Sequence, residues 1–311
     1  MKTIRQDFIK TFLAFIFLLF SIVGNALTLG KTVEAGRPDT VRLFLIGNSF
    51  SQNASRFLPD LAKEGNQKLI IQRAEIGGCS LQKHWELAEL AEANPDDPKG
   101  RPYRGKSLRM LLSEGTWDIV SLQQLSKLSG NVGTYMPYID MLYALINELQ
   151  PDAKVVLHQT WAYRSDSKDF SQITDKKLAN SAKKMWKKSR VAYHQMADRL
   201  GTDIVPVGDA FWKASSGPYA FRKDKSFNYE NPVYPELPNQ TNSLHAGYFW
   251  GKEKTLRFDS HHANIAGCFL GSLVWYQFLF GESPEQLHFV PEAVPESFAD
   301  YLKKVANSIV K

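Results

Sequence analysis

Three side chains that can together make a nucleophile stand near opposite ends of this chain. Ser49 lies in Gly47-Asn48-Ser49-Phe50, directly after an apolar run. Asp259 and His262 lie in Asp259-Ser260-His261-His262, more than two hundred residues later. A serine hydroxyl is a weak nucleophile until a histidine takes its proton and a carboxylate holds that histidine's tautomer. Asp and His spaced i, i+3 on a turn can reach one another. His262 therefore reads as general base and then general acid, with Asp259 as its orienter. The adjacent His261 stays open as the base, a surface residue or a substrate contact. The bland reading of Gly-Asn-Ser is a tight turn with a capping serine.

Such a nucleophile needs N–H donors for the oxyanion it creates. Ser49 should open a helix, where backbone N–H groups point outward and negative charge is favoured. Gly78, in Gly77-Gly78-Cys79, offers a backbone that can approach closely. Gln123 or Gln124 could add a side-chain amide. Alternation along a strand puts them on opposite faces, and Gln123 is the one favoured to face the site. Asn48, Gln124, Trp161 and His261 are candidate substrate contacts. Neighbouring histidines point apart and no third ligand has suitable spacing, so no metal and no cofactor is expected.

The elements that must position these groups alternate in type. Strands are expected at Val41–Gly47, Lys68–Ile76, Trp117–Gln123, Ala153–Thr160 and Thr202–Val207, all near-continuous apolar runs of the kind found in covered parallel sheets. Helices are expected at Asn53–Gly65 (capped by Ser51 or Asn53), Leu81–Ala93, Lys106–Glu114, Tyr135–Leu149, Lys177–Leu200, Asn264–Phe280 and Phe298–Val310. This alternation implies an α/β fold, a three-layer α/β/α sandwich with right-handed crossovers. Such sheets bind ligands at the carboxyl ends of their strands, where Ser49 and Gln123 fall.

Residues 1–26 read as a signal peptide: Lys2, Arg5 and Lys10, then the apolar run Thr11–Val23, then Gly24-Asn25-Ala26. About 13 apolar residues are too few to span a bilayer, which takes roughly 20. Residues 27–311 read as one domain with a long irregular insertion at about 211–258, rich in Pro, Asn, Tyr and Phe. Export to the periplasm or beyond, with no stable membrane span after cleavage, is the expectation. The net charge is +6 and the leader carries three bases and one acid, so the remainder carries +4. That spread-out excess argues against a nucleic-acid stripe. The densest basic run, Lys183–Lys188, has the spacing of a solvated helix face. Cys79 and Cys268 are either a disulfide or two buried thiols.

The segments, in order, resemble the SGNH (GDSL-type) hydrolase superfamily. Gly47-Asn48-Ser49-Phe50 is similar to its first block, Gly78 to the glycine of its second, and Asp259-x-x-His262 to its last. The third block departs, with Gln123-Gln124 where Gly-x-Asn-Asp is usual. Leu122-Gln123 and Thr160-Trp161-Ala162 are similar to a secreted branch from glycan-degrading bacteria. The resemblance implies a flavodoxin-like sheet of about five strands, metal-free catalysis and an ester substrate. A carbohydrate O-acetylesterase acting on an acetylated glycan or other small ester fits, with Trp161, Tyr163, Trp212, Tyr219, Tyr234 and Trp250 as stacking surfaces. A lipid or thioester hydrolase and an inactive glycan-binding module remain the alternatives.

Overall fold

In a computed structural model, residues 39–310 are described. The leader expected at 1–26 lies outside the described residues. The chain opens with β1 (Thr40–Gly47), α1 (Ser49–Ala54), α2 (Leu58–Glu64), β2 (Lys68–Glu75), α3 (Leu81–Ala93), α4 (Leu108–Leu112) and β3 (Ile119–Leu122). It continues with α5 (Tyr138–Leu149), β4 (Lys154–His158), β5 (Gln172–Thr174), β6 (Lys177–Leu178), α6 (Ala182–Leu200), β7 (Asp203–Val205) and α7 (Val207–Ser215). It closes with β8 (His245–Trp250), β9 (Leu256–Ala263), α8 (Ile265–Phe280) and α9 (Glu296–Ile309).

Five parallel strands form the central sheet in the order β2-β1-β3-β4-β7. This is the flavodoxin-like order, in which the chain reverses direction beside β1. Alternation along β1 divides its side chains between two cores. Leu43 and Leu45 pack with α1, α2, α7, α8 and α9, whereas Phe44 and Ile46 pack with α3, α4, α5 and the C-terminal half of α6. The result is the three-layer α/β/α sandwich that the strand and helix alternation implies. Helix α8 is apolar almost all round and is buried along nearly its whole length.

Several boundaries differ from the sequence reading, each for a local reason. The helix expected at Asn53–Gly65 is two, α1 and α2, capped by Asn48 rather than Ser51 or Asn53. Pro59 sits in the first turn of α2 and disfavours helical backbone just before it, so the chain breaks there. Lys177 and Leu178 pair with β5, and α6 starts only after the Ser181 cap. The irregular stretch expected at about 211–258 is helical up to Ser215 and ends in the antiparallel β8–β9 hairpin. The basic run at 183–188 does face solvent, with Met185 turned inward. Cys79 and Cys268 are both free and buried. No helix of the described residues is long and apolar enough to cross a membrane.

Three histidines are wholly buried: His84, His158 and His245. Burial holds them down to about 4, 3 and 4 respectively, so each stays neutral in the fold. An unfolded histidine titrates near ~6.5. Between that value and pH 4 the unfolded chain binds more protons, so stability rises with pH in this window and is lost on acidification. Each group contributes about 1.4 kcal/mol per pH unit. Neither ring nitrogen of His158 has a hydrogen-bond partner among the described residues. His158→Leu is therefore expected to flatten the dependence of the urea midpoint on pH between 4.5 and 6.5. An unchanged slope in that variant would refute the assignment.

Candidate active site

Ser49 is the first residue of α1, immediately past the carboxyl end of β1. The turn that presents it is held from beneath by a buried polar network. Asn48 Oδ1 accepts from Phe50 N at 3.0 Å and from Gln123 Nε2 at 2.8 Å, and Asn48 Nδ2 donates to the Cys79 carbonyl at 2.8 Å. His84 Nε2 lies 2.9 Å from the Gly47 carbonyl, and its Nδ1 lies 2.7 Å from the Tyr103 hydroxyl. A side chain at Gly47 would begin 2.6 Å from Ser51 Oγ, so only glycine fits beneath this turn.

His262 arrives from the other end of the chain. Its Nε2 lies 2.9 Å from Ser49 Oγ, across a separation of 213 residues. Its Nδ1 lies 2.7 Å from Asp259 Oδ2, while Asp259 Oδ1 accepts from the backbone N–H of both His261 and His262 at 3.0 Å. Burial pushes the Asp259 carboxyl up. The hydrogen bonds from the His262 ring and the two N–H groups outweigh it, holding the group well below the usual carboxylate range. An ionised carboxylate only accepts, so Nδ1 carries the proton and Nε2 is left to accept from Ser49.

These residues lie on a strand, not on the turn expected from the sequence. Gly247 pairs with Asp259 and His245 with Ala263, so one residue of β8 faces the three residues 260–262 of β9. The bulge gathers side chains that a regular strand would separate. The rings of His261 and His262 lie 4.1 Å apart, and His261 Nδ1 comes within 3.0 Å of Asp259 Oδ1. The expectation that the two histidines point apart is corrected accordingly. One ligand atom from each of Asp259, His261 and His262 falls within 4.8 Å of the others, a spacing that could also hold a cation.

Struts between the two halves of the site were not read from the sequence. The Trp161 ring stacks on Phe50 at 4.1 Å, and its Nε1 donates to the His261 carbonyl at 2.9 Å. Asn53 Oδ1, on α1, accepts from Ala263 N at 3.2 Å. Arg164 N donates to the Ser260 carbonyl at 2.8 Å. The Arg164 guanidinium, almost fully buried, pairs with Asp166 and lies over the rings of Phe221, Tyr248 and Phe258, so it pins the hairpin to the loop after β4.

The remaining sequence assignments divide. Gly78 is exposed with φ +66, and nothing lies within 4 Å of where its Cβ would be. The N–H groups of Ser49 and Gly78 have no hydrogen-bond partner among the described residues. Gln123 does not serve as an oxyanion donor here: it is buried and its amide donates to Asn48. Asn48 and Gln124 are structural, not substrate contacts. Gln124 is fully buried, accepting from Leu81 N and Leu125 N and donating to Thr134. Trp161 is fully buried between Phe50 and Phe211, so it cannot stack on a ligand. Trp212 stacks on Trp186, Tyr219 on Phe298 and Tyr301, and Tyr234 packs edge-on to Trp250. Among the proposed stacking residues, Tyr163 alone lies against the site, its ring 5.6 Å from His261. Burial pushes the Cys79 thiol up to about 12 and the Cys268 thiol up to about 11, which leaves both unreactive.

A flavodoxin-like sandwich with a Ser–His–Asp relay at the rim of its sheet is the class these features define. The chain belongs to the family described as "Domain of unknown function (DUF4886)", whose profile matches residues 42–230 and so ends before Asp259. It is similar to the crystal structure of a DUF4886 family protein from Bacteroides uniformis, at 23% identity and TM-score 0.66, over 87% of this chain and 94% of that one. It also aligns with a protein assigned as a GDSL-like lipase from Parabacteroides merdae, at 15% identity and TM-score 0.45, over 78% and 96% of the two chains. A member of the lipolytic G-D-S-L family from Veillonella parvula aligns at 11% identity and TM-score 0.34, over 57% and 82%. At these identities the likeness is one of fold. No curated protein matches the chain.

If Trp161 holds the two halves of the relay together, Trp161→Phe keeps a ring in the stack but deletes the bond to His261. Covalent labelling of Ser49 by a fluorophosphonate is expected to slow about fivefold, the equivalent of about 1 kcal/mol. Labelling at the wild-type rate would reduce Trp161 to packing alone.

Proposed function

We propose that this chain is a serine ester hydrolase of the SGNH type, with Ser49 as nucleophile, His262 as base and acid, and Asp259 as orienter. The observation that carries this reading is the continuous relay from Ser49 Oγ to His262 Nε2 and from His262 Nδ1 to Asp259, at 2.9 and 2.7 Å. Nothing else in a core of this kind requires a half-buried serine, a half-exposed imidazole and an ionised carboxylate in line.

In the first half-reaction Ser49 Oγ attacks the ester carbonyl as His262 Nε2 takes its proton. The unbonded N–H groups of Ser49 and Gly78 are the donors offered to the oxyanion. Collapse expels the alcohol, which leaves with the proton from His262. Water then repeats the sequence on the acyl-enzyme and regenerates Ser49. Asp259 stays ionised throughout and stabilises the imidazolium. With Gln123 tied to Asn48, this reading uses two oxyanion donors rather than three.

The substrate class we favour is a small acyl ester of a polar alcohol, an O-acetylated carbohydrate being the leading example. What supports it is the cavity beside His261, whose wall sets Lys127, Ser167, Lys168, Asp169 and Ser260 among aromatic rings. The lipid-hydrolase alternative draws on an apolar cavity of about 260 Å³ between Phe211, Trp212, Phe221 and Leu244. Neither cavity is walled by Ser49, Asp259 or His262, but the apolar one also lacks Phe258, Ser260 and His261, the neighbours of Asp259 and His262 that line the other, which weighs against it. Residues 1–26, taken as an export leader, would bring the enzyme to extracellular glycans.

Ser49→Ala is expected to abolish hydrolysis of 4-nitrophenyl acetate while leaving the circular dichroism spectrum unaltered; residual turnover near wild type would end the assignment. His262→Ala should lower kcat/KM by about 10³-fold or more, whereas His261→Ala should cost no more than about tenfold. Equal losses in the two variants would assign the proton transfer to both rings or to the wrong one.

A further inference from the structure

The cavity beside His261 is built from three separate segments that meet at the carboxyl rim of the sheet. Lys127 comes from the loop after β3, Tyr163, Lys168 and Asp169 from the loop after β4, and Phe258 and His261 from β9. It encloses about 420 Å³, within the ~300–1,000 Å³ range of small-molecule sites. The Ser167 and Ser260 hydroxyls lie 2.9 Å apart and lock two of these segments together. Neither the Lys127 nor the Lys168 ammonium has an ion-pair or hydrogen-bond partner among the described residues, although most other charges near the site are paired. Two lysines thus line the cavity together with a single acidic residue, Asp169.

The cavity's position relative to the relay assigns its occupant. A general acid must deliver its proton to the departing oxygen, so the alcohol half of an ester lies on the imidazole side of the nucleophile. The His261 ring lines the cavity and touches the His262 ring, with centroids 4.1 Å apart. Tyr163 and Phe258 offer apolar surface of the kind that packs against a ring. Resting on the esterase reading, we propose that this cavity receives the alcohol portion of the substrate and that Lys127 and Lys168 select one bearing a carboxylate, as a uronic acid residue does. The enzyme's preferred ester is then an anionic one, and the selectivity resides in the leaving group, not in the acyl group.

The probes are 4-acetoxybenzoate and its neutral isostere 4-acetoxybenzamide, which share one acyl group and one leaving-group shape. For the double variant Lys127→Ala/Lys168→Ala, the ratio of kcat/KM on the anionic ester to that on the neutral one is expected to fall roughly three- to tenfold relative to wild type. Raising NaCl to 0.5 M should shrink the wild-type ratio and leave the variant's ratio flat, because exposed charge pairs are screened. A ratio that stays within twofold, or two rates that fall together, overturns the proposal. If the wild-type protein cleaves neither ester, the esterase reading fails by itself. The cavity is then judged by nuclear magnetic resonance titration with D-galacturonate. Saturable shifts at the Lys168 and Asp169 amides that vanish in the double variant support an anion site, and their absence refutes it.

Discussion

The contact between Ser49 Oγ and His262 Nε2 is the constraint that the rest of the molecule serves. One hydrogen bond of 2.9 Å cannot bring together residues 213 positions apart, because the chain entropy lost in closing such a loop far exceeds the ~1 kcal/mol a net hydrogen bond returns. The geometry is therefore imposed by packing that would exist without the relay. Helix α8 is buried almost all round, and it draws β9 to the sheet because β9 runs directly into it through the Asn264 cap. Trp161 and Asn53 then convert that coarse docking into register: one ties the His261 carbonyl to the ring of Phe50, the other ties Ala263 to α1. Each strut grips a neighbour of Ser49 or His262 and makes no bond to either of those side chains.

Beneath Ser49 the logic is different. Asn48, Gln123 and His84 are buried polar side chains, and a buried polar group costs stability unless it is bonded. Here they satisfy one another and the carbonyls of Gly47 and Cys79. The network joins β1, the loop after β2, the start of α3 and the end of β3 at one point. A cluster bonded at this many points resists small displacements, because any shift breaks several bonds at once; among the described residues Gln123 Oε1 is the atom of it left without a partner. That is why Gln123, which in isolation looks like an oxyanion donor, is spent on rigidity. The bulge in β9 is the corresponding device on the histidine side, where Asp259 receives both backbone N–H groups as well as the imidazole.

The five parallel strands and most helices were legible because burial on both faces demands long apolar runs, and these are visible as composition. Leu81–Ala93 matches to the residue, with Ser80 as its cap. Errors fell where a local signal competed with a longer one. Pro59 split a helix, and Lys177-Leu178 had helical neighbours yet paired with β5. That Ser49, His262 and Asp259 come together was legible because an i, i+3 pair of Asp and His is a recognisable partner for a serine at a strand end. Asn48, Gln124 and Trp161 were misread as ligand contacts because side-chain type alone does not say which way a residue points. His84 and Arg164 left no signal: a lone histidine in a helix and an arginine in a loop look solvated until the fold surrounds them.

Sequence by itself determined the layered α/β architecture, the position of the serine at a strand end and the identity of its partners. These follow from periodicity and from residue chemistry, both of which are local. Only the tertiary structure decided which backbone N–H groups beside Ser49 remain unbonded, that both histidines converge on one carboxylate, and that Lys127 and Lys168, unpaired among the described residues, line a cavity with His261. Those properties depend on distances between segments that the chain order separates, and no local pattern encodes a distance through space.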